Sequence, residues 1–398
     1  MRDNIALFGG PPFFEQPLNI VRPSFPAVED FLPAFRAALA AGQVTNNGPW
    51  VLEFERKLSE YLGVPTLVFC NGQLAMMTML RAAGIETGEV IVPSFTFPAT
   101  PHAIRWSGGE PVFADIANDG SMCLDPEDVE RKVTPRTVAI LGVDSYGIAC
   151  DYAALTAIAR RNGLKLLLDS APSFGTRVDG RPIGGFGDAQ IFSFHATKAL
   201  PTMEGGCLCS HDQELLERAR AIRNFGQGVD GDCDEPGLNG KLTEICALIG
   251  LEELKVFEQG AINRRRAVQR MRSGLEQVPG LTLAQAGANQ EPIWLYLPVV
   301  IDKNKFGMNR DELAAAFAKE NLFVRKYYSP PCHHMSAYRG ARNLSLPRTE
   351  ATAYNVLALP VYNDMTDREC DGIVQVFREV HHAADRIRAR QCEKVAHG

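Results

Sequence analysis

The sequence lacks the features that mark several large classes of protein. Its 398 residues include 41 Lys and Arg against 47 Asp and Glu, a formal net charge of −6, so there is no basic surplus. Proteins that bind nucleic acid usually carry such a surplus, and we predict no nucleic-acid partner. No apolar run approaches the roughly 18 residues that a membrane helix needs. The opening MRDNIALFGGPPF also lacks the basic-then-apolar layout of a signal peptide. We therefore expect no membrane partner and a cytoplasmic location.

The ten cysteines include no C-x-x-C pair, so neither a zinc ribbon nor a redox motif is supported. We expect free thiols in a reducing compartment, with Cys207 and Cys209 on one face of a strand because residues two apart share a face. The run Cys332-His333-His334 has metal-binding residue types, but adjacent side chains do not easily converge on one ion, and we predict no metal. The basic cluster Arg264-Arg265-Arg266 is interpreted as a solvated helix face.

The composition is that of an ordinary globular protein, with 45% hydrophobic and 22% charged residues and enough length for two domains. The first two thirds alternate short apolar runs with helix-like stretches, which favours an α/β fold with a parallel sheet covered by helices on both faces. The predicted strands are Thr66–Cys70, Glu89–Phe95, Pro111–Ile116, Val138–Val143, Leu164–Asp169, Ala189–Phe194 and Gly206–Ser210. The predicted helices in this part are Val28–Ala41, Met76–Ala83, Tyr152–Asn162 and Gln213–Arg223.

The last third predicts a smaller α+β unit. A helical pattern begins at Leu242–Gln259 and runs through Arg264–Leu275. A strand at Ile293–Val300, a helix at Arg310–Glu320 and a final helix at Asp367–Arg388 follow. We expect a large domain at residues 1–254 and a small C-terminal domain at 255–398.

Three local features point to one kind of chemistry. Asn71, Gly72 and Gln73 lie between a predicted strand and a helix, where backbone N–H groups at the positive helix end can bind phosphate. Many α/β crossovers need a glycine at this point for structural reasons alone. Asp169 ends an apolar strand, and ligands of open α/β sheets bind outside those strand ends. The alternative for Asp169 is a helix cap.

The third feature is a lysine beyond a strand end. Lys198 closes the stretch Ser193–Lys198 (SFHATK), shortly before Glu204-Gly205-Gly206. Partial desolvation lowers the pKa of a lysine and makes its amine a nucleophile toward aldehydes. An amine, a phosphate cradle and a strand-end carboxylate together match pyridoxal 5′-phosphate (PLP). Lys198 would hold PLP covalently, Asp169 would keep its ring nitrogen protonated, and residues 71–74 with Ser193 would hold its phosphate.

With these residues in place, the chain resembles the DegT/DnrJ/EryC1/StrS sugar aminotransferases, which have fold type I of the PLP-dependent transferases. Matching segments follow in order along nearly the whole chain: Gln43–Leu62, Pro93–Ile116, Ser193–Gly206, Gly237–Leu254 and Leu357–Thr366. The S-F-H-x-T-K stretch with E-G-G behind it is the most specific of them. The resemblance implies a large domain with a mostly parallel sheet and a smaller C-terminal α+β domain.

The resemblance also implies roles for single residues. Lys198 and Asp169 would be catalytic, Lys198 as the covalent anchor and general base and Asp169 as the partner of the ring nitrogen. The other implied cofactor contacts are Gly72, Gln73 and Ser193 at the phosphate, Phe97 over the cofactor ring, and Asn239. Asn239 falls where a neighbouring subunit reaches the phosphate, which implies a homodimer with shared active sites. Candidate substrate-pocket residues are Tyr327, Tyr328 and His334.

Three positions depart from the family's pattern. Gln73 stands where Thr or Ser is usual, so a hydroxyl contact to phosphate is lost. Pro172 replaces the Gln or His that donates to the cofactor's phenolic oxygen, and Asp144 stands where many members carry His. These changes leave the lysine chemistry intact and leave open the substrate's identity and the tuning of the cofactor.

We predict a PLP-dependent aminotransferase of amino-sugar biosynthesis. It would move an amino group from an amino acid, with glutamate as the expected donor, to a keto sugar that is nucleotide-linked. One alternative is a cyclitol or a non-nucleotide keto sugar as the acceptor. The other is an inactive PLP-binding or regulatory homologue.

Overall fold

The computed structural model describes residues 5–228, 231–384 and 386–387. Its strands in chain order are β1 Thr66–Phe69, β2 Glu89–Pro93, β3 Glu110–Ala114, β4 Thr137–Val143, β5 Lys165–Asp169, β6 Arg177–Val178, β7 Arg181–Pro182, β8 Ala189–Ser193, β9 Gly206–Cys209, β10 Leu281–Leu283, β11 Gln290–Glu291, β12 Leu297–Ile301 and β13 Val356–Leu359. Its α-helices are α1 Val28–Ala40, α2 Pro49–Leu62, α3 Gly72–Ala82, α4 Ala99–Trp106, α5 Pro126–Lys132, α6 Tyr152–Asn162, α7 Gln213–Arg223, α8 Glu244–Leu275, α9 Lys303–Phe306, α10 Arg310–Lys319, α11 Pro347–Asn355 and α12 Asp367–His382.

The central sheet has seven strands in the order β1-β9-β8-β5-β4-β2-β3. These are the seven predicted strands, and each lies within two residues of its predicted bounds. Neighbouring strands from β3 to β8 run parallel, whereas β9 is antiparallel to both β1 and β8. The prediction of a mostly parallel sheet flanked by helices is confirmed. Because β4, β5 and β8 are adjacent and parallel, their carboxyl ends meet at one edge of the sheet.

Capping residues mark the ends of two helices that cover the sheet, α6 and α7. Asp151 accepts a hydrogen bond from the Ala154 N–H at 2.9 Å at the start of α6, and Gly163 ends that helix at a φ of 63°. Asp212 caps α7 in the same way through the Leu215 N–H at 3.1 Å. Both helices have the bounds predicted for them. Helix α3 begins at Gly72, four residues before its predicted start.

A smaller antiparallel sheet, β10-β12-β13, forms in the last third of the chain. The strand predicted at Ile293–Val300 is partly wrong, because β12 begins only at Leu297. Trp294 adopts a left-handed φ of 52°, and the Leu295 N–H donates to the Tyr146 carbonyl at 2.8 Å instead of joining the sheet. Helix α10 matches its prediction to one residue, and Arg388, the predicted end of the last helix, lies outside the described residues.

Helix α8 is one continuous element of 32 residues. The predicted domain boundary between residues 254 and 255 falls inside it, and the division into two domains stays a prediction. The interpretation of Arg264-Arg265-Arg266 as a solvated face of this helix is wrong for Arg264, which is 4% exposed. Arg264 points toward the Trp294 turn because the loop before β12 folds back over α8 and offers its carbonyl oxygens.

Cys207 and Cys209 are both buried on β9, with their sulfur atoms 3.9 Å apart, which confirms that they share a face. The nine cysteines within the described ranges are free thiols, and Cys392 lies outside those ranges. Among the helices that the structure describes, none is both long enough and apolar enough to cross a membrane.

Candidate active site

A cavity of about 490 Å³ opens at the sheet edge where β4, β5 and β8 end. Eight of the ten site residues predicted from the sequence line it: Gly72, Gln73, Phe97, Asp169, Ser193, Lys198, Tyr327 and Tyr328. The chain therefore folds so that residues from Gly72 to Tyr328, far apart in sequence, surround one space. Asn239 and His334 do not line the cavity.

Asp169 ends β5 and is 4% exposed. Its Oδ2 accepts a hydrogen bond from the Thr100 hydroxyl at 2.7 Å, and its Oδ1 accepts one from the Ala171 N–H at 3.1 Å. Burial raises the pKa of Asp169, while these two donors and the charge of Lys198 act in the opposite direction. The carboxylate is thus buried but supplied with donors, and a cation or an N–H group in the cavity would pair with it.

Lys198 lies in a tight turn that follows β8. Its backbone N–H donates to the His195 carbonyl at 2.8 Å, and the Phe194 N–H donates to the Gly205 carbonyl at 2.8 Å, so the SFHATK stretch folds back toward the E-G-G stretch. Burial lowers the pKa of Lys198, and the nearby charge of Asp169 partly offsets that effect. The two groups that the sequence singled out therefore act on each other electrostatically in one cavity.

The first turn of α3 faces the same space. Asn71 caps the helix by accepting from the Leu74 N–H at 2.8 Å, and the N–H groups of the first turn have no partner within a helix. A Cβ on Gly72 would lie 2.9 Å from Cβ of Ser193, so only glycine lets α3 approach β8 this closely. The resulting cradle of N–H groups and the Ser193 hydroxyl suits a phosphate group.

Aromatic rings contribute much of the rest of the cavity lining. Tyr328 packs between Tyr146 and Phe95, with ring centroids 5.5 Å from each. Phe97 remains 55% exposed at the cavity, where an aromatic ring can cover a flat ligand. Tyr296 also lines the cavity and packs against Tyr327 at a centroid distance of 5.8 Å.

The positions that depart from the family's pattern have different surroundings. Pro172 and Gln73 both line the cavity, and Gln73 is exposed to solvent. Asp144 is fully buried outside the cavity lining and accepts hydrogen bonds from the hydroxyls of Tyr152 and Ser170 and from the Cys150 N–H. Burial raises the pKa of Asp144, and these donors oppose the effect. Asp144 thus ties together the backbone behind the cavity.

Two predicted site residues lie elsewhere on the chain. Asn239 is exposed and accepts a hydrogen bond from the Lys241 ammonium at 2.7 Å. His334 bonds the Tyr354 hydroxyl at 2.8 Å through its Nδ1. Their assigned contacts to cofactor and substrate stay predictions.

His334 also belongs to a group of possible metal ligands. His333, His334 and Glu350 bring ligand atoms within 4.8 Å of one another, although the two histidines are adjacent in sequence. Both ring nitrogens of the buried His333 already have partners, Ser94 Oγ at 2.6 Å and Glu350 Oε1 at 3.4 Å. This group is accounted for by hydrogen bonds.

Some cavity residues were not predicted. Thr100 lies on α4 and its hydroxyl donates a hydrogen bond to Asp169. Leu295 and Tyr296 belong to the loop before β12 and line the cavity. None of the three lies in a motif with its own chemical signature. Their place depends on how α4 and this loop pack, which local sequence does not encode.

The sequence profile of the DegT/DnrJ/EryC1/StrS aminotransferase family matches residues 27–378 of the chain. The dTDP-4-amino-4,6-dideoxy-D-glucose transaminase of Escherichia coli is 36% identical over 361 residues, an alignment that covers 89% of this chain and 96% of the relative.

Solved structures give the same result at the level of the fold. DesI, solved in the presence of its TDP-sugar product, superposes with a TM-score of 0.92 at 37% identity, covering 98% of this chain and 99% of DesI. The PLP form of a protein described as a sugar aminotransferase from Streptococcus pneumoniae superposes with a TM-score of 0.84 at 25% identity, covering 92% of this chain and 99% of that one. These neighbours confirm the predicted PLP-dependent transferase fold.

Proposed function

The chain belongs to the DegT/DnrJ/EryC1/StrS aminotransferase family, and from that premise we propose that it transfers an amino group from glutamate to the keto group of a thymidine-diphosphate-linked deoxysugar. The proposal extends to this chain the sugar-nucleotide chemistry of two relatives, the Escherichia coli transaminase at 36% identity and DesI at 37% identity. The two likenesses cover 89% and 98% of this chain.

The observation that carries the proposal is the pairing of the half-buried Lys198 with the buried Asp169 in one cavity that also holds a phosphate cradle. The residues present fit PLP: an amine of lowered pKa, a buried carboxylate with room for one more donor, and a helix N-terminus closed by Gly72 against Ser193. PLP, when bound, supplies an electron sink for the bond that must break at the donor's Cα.

The chain's own residues would do the remaining work. Asp169 would accept a hydrogen bond from the ring nitrogen and keep it protonated, because the carboxylate is buried and otherwise short of cationic partners. Lys198 would hold the cofactor and move a proton at the donor's Cα, a role that a lowered pKa favours because a larger fraction of the amine is then neutral. Ser193 and the N–H groups of Gly72 and Gln73 would hold the phosphate, and Phe97 would cover one face of the ring.

The acting form in this proposal is a homodimer with shared sites. Large apolar side chains are exposed on three helices that pack together, α1, α2 and α8; they are Val28, Leu39, Leu52, Val256 and Ile262, each at least 50% exposed. These side chains are candidates for the dimer interface. The exposed Asn239 lies outside its own chain's cavity, as expected of a residue that serves the partner's site.

Lys198→Ala tests the proposal. Purified wild-type protein loaded with PLP should show the cofactor's visible absorbance, lose it with glutamate, and regain it when the correct keto sugar is added. Borohydride reduction followed by peptide mass analysis should place the cofactor on Lys198. The variant should retain some cofactor by non-covalent contacts, yet show no covalent label and no turnover.

The acceptor is tested by comparing a thymidine-diphosphate-linked keto sugar with the free keto sugar and with a keto cyclitol. Only the first should restore the absorbance after glutamate treatment. A label on another lysine would overturn the role of Lys198, and equal recovery with the free sugar would overturn the nucleotide requirement. Absorbance that glutamate leaves unchanged would indicate an inactive homologue.

A further inference from the structure

Arg264 is a buried cation next to the active-site cavity. No carboxylate of the described residues lies within ion-pair distance of it, although its neighbours Arg266 and Arg270 both pair with Asp367. Its guanidinium donates instead to neutral oxygens: the Trp294 carbonyl at 3.1 Å, the Leu295 carbonyl at 3.4 Å and Oδ1 of Asn363. Burial lowers the pKa of Arg264 to about 10. A charge held in this way destabilises the fold unless its hydrogen bonds are well made.

Asn363 connects this arginine to Lys198. Its Oδ1 accepts from Arg264, while its Nδ2 donates to the Ala199 carbonyl at 2.9 Å and to Ser24 Oγ at 3.0 Å. Ala199 directly follows Lys198, so two hydrogen bonds join the guanidinium to the backbone one residue beyond the one that carries the amine. A Cβ on Gly260 would lie 3.0 Å from Cγ of Asn363, so the backbone of α8 packs closely against this amide group.

The other hydrogen bonds of Arg264 go to the loop before β12. Trp294 has a left-handed φ of 52°, a strained conformation for a non-glycine residue, and its carbonyl is one of those that Arg264 binds. Leu295 and Tyr296, which follow it, line the active-site cavity. A second cavity, of only about 10 Å³, has Lys198, Arg264 and Tyr296 among its lining residues, so Arg264 lies close to Lys198 on the side away from the main cavity.

We infer that Arg264 is a positioning residue for Lys198. One rigid guanidinium holds the backbone after Lys198 through Asn363 and holds the Trp294–Leu295 turn directly, which fixes the amine relative to Leu295 and Tyr296 in the cavity lining. Arg264 touches neither the cofactor's place nor the reacting atoms. Its effect is on distance, and proton transfer is sensitive to displacements on the order of 1 Å. The inference rests on the proposed role of Lys198.

Asn363→Asp separates this role from a contribution to folding. The new carboxylate still accepts from Arg264 and becomes the missing ion-pair partner, but it has no N–H for the Ala199 carbonyl. We expect a thermal midpoint no lower than that of wild type. The single-turnover rate of glutamate-driven loss of cofactor absorbance should fall about tenfold, the scale of one lost hydrogen bond in the transition state. The pH midpoint of the cofactor's absorbance should shift as well, because Lys198 moves relative to Asp169.

Arg264→Gln and Arg270→Gln complete the comparison. Arg264→Gln should slow the same step, and the double variant with Asn363→Asp should be no slower than the slower single variant, because both changes break one connection. Arg270 lies on the same helix and bonds Asp371 at 2.6 Å on the surface, so Arg270→Gln should leave the rate within about twofold.

Borohydride labelling of wild type is done first, because a label away from Lys198 would refute the proposed function before the inference is reached. If Lys198 is labelled but Asn363→Asp keeps both the rate and the absorbance midpoint, the positioning role is wrong. A clearly lower thermal midpoint in Asn363→Asp would also contradict it, because Asn363 would then serve the fold. If Arg264→Gln does not fold, Asn363→Asp alone decides the question.

Discussion

Pro172 lines the cavity where the family usually places a side-chain donor to the cofactor's phenolic oxygen. Proline has no N–H and its ring has no donor. The neighbouring Ser173 does not replace it, because its hydroxyl donates to the Asp144 carbonyl at 2.8 Å. The negative ring oxygen should therefore hold the proton that it shares with the Lys198 nitrogen more strongly than in relatives with a donor.

Pro172→Gln should lower the pKa of the bound cofactor, read from its visible absorbance against pH. A hydrogen bond to a charged group is worth about 1.5–3 kcal/mol and one pKa unit about 1.36 kcal/mol, so a shift on the order of one unit is expected. Pro172→Ala is the matched control, since it frees the backbone without adding a side-chain donor. Equal titrations of the two folded, loaded variants would mean that another group already serves this oxygen.

Thr100→Val removes the hydroxyl that donates to Asp169. That donor lowers the pKa of a carboxyl that burial raises, so its loss should raise the pKa further. Asp169 must be ionised to pair with the ring nitrogen, and activity is lost as the pH falls through its pKa. The acid limb of the kcat/KM profile should therefore move to higher pH by on the order of one unit.

Thr78→Val is the control for that substitution. The Thr78 hydroxyl is buried in α3 without a hydrogen-bond partner in the described part of the chain. Its removal should leave the acid limb in place and should not lower the free energy of unfolding. An acid limb that is the same in both variants would show that the Thr100 bond does not tune Asp169.

The residues that carry chemistry could be predicted in proportion to their local signals. Lys198 and Asp169 follow buried apolar strands, and Gly72 lies at a strand-to-helix turn, so each has a context that sequence reveals. Thr100 has none, because its importance arises only when α4 packs over the end of β5. Arg264 was misjudged because a run of three arginines on a helix normally faces water, and only the fold of the Trp294 loop buries one of them.

At the scale of elements, the junction of β1, α3 and β9 depends on two glycines. A Cβ on Gly206 would lie 2.6 Å from both Cα and N of Gly72, and these backbone atoms cannot rotate away. Gly206→Ala should therefore lower the free energy of unfolding by about 1–3 kcal/mol, the usual cost of overpacking. It should also weaken cofactor retention, because the phosphate cradle is displaced.

Gly340→Ala is the matched control, since a Cβ there meets nothing within 4 Å. Its unfolding free energy should stay within about 0.5 kcal/mol of wild type. Denaturant unfolding and cofactor titration measure both effects. A Gly206→Ala protein as stable and as well loaded as this control would refute the account of the junction.

The elements that the sequence predicted are those with long apolar signals. The seven strands of the central sheet are buried on both faces and read as continuous apolar runs. The two-residue strands β6, β7 and β11 and the seven-residue α5 are too short to produce a period. Helix α2 does carry a helical period, with Val51, Phe54, Leu58 and Leu62 buried, and was identified only as part of the family resemblance.

At the scale of the whole molecule, the proposed shared site can be tested by mixing subunits. Lys198→Ala and Asn239→Ala proteins should each be weakly active or inactive alone. In a mixed dimer, one of the two sites combines an intact Lys198 with the partner's intact Asn239. After full exchange of equal amounts, about a quarter of wild-type activity should return, because half of the dimers are mixed and each has one good site.

Exchange must be shown separately, for example by mass spectrometry of subunits with different tags. A mixture of Lys198→Ala with wild type is the control and should retain about half of the wild-type activity. Activity that does not return after demonstrated exchange would mean that each chain completes its own site, and that Asn239 serves another purpose.

Helix α8 also sets a mechanical constraint. Its 32 residues contain no proline and would span about 48 Å at 1.5 Å per residue. Glu244 in its first turn accepts from the Trp50 N–H at 2.8 Å, Arg264 lies beyond its middle, and α12 packs along it. The helix is therefore one continuous element that joins α2, which packs on the large sheet, to α12. The predicted boundary at residue 254 lies inside this continuous helix, so a rotation of α8 as one body would also move Arg264, the proposed anchor of Lys198.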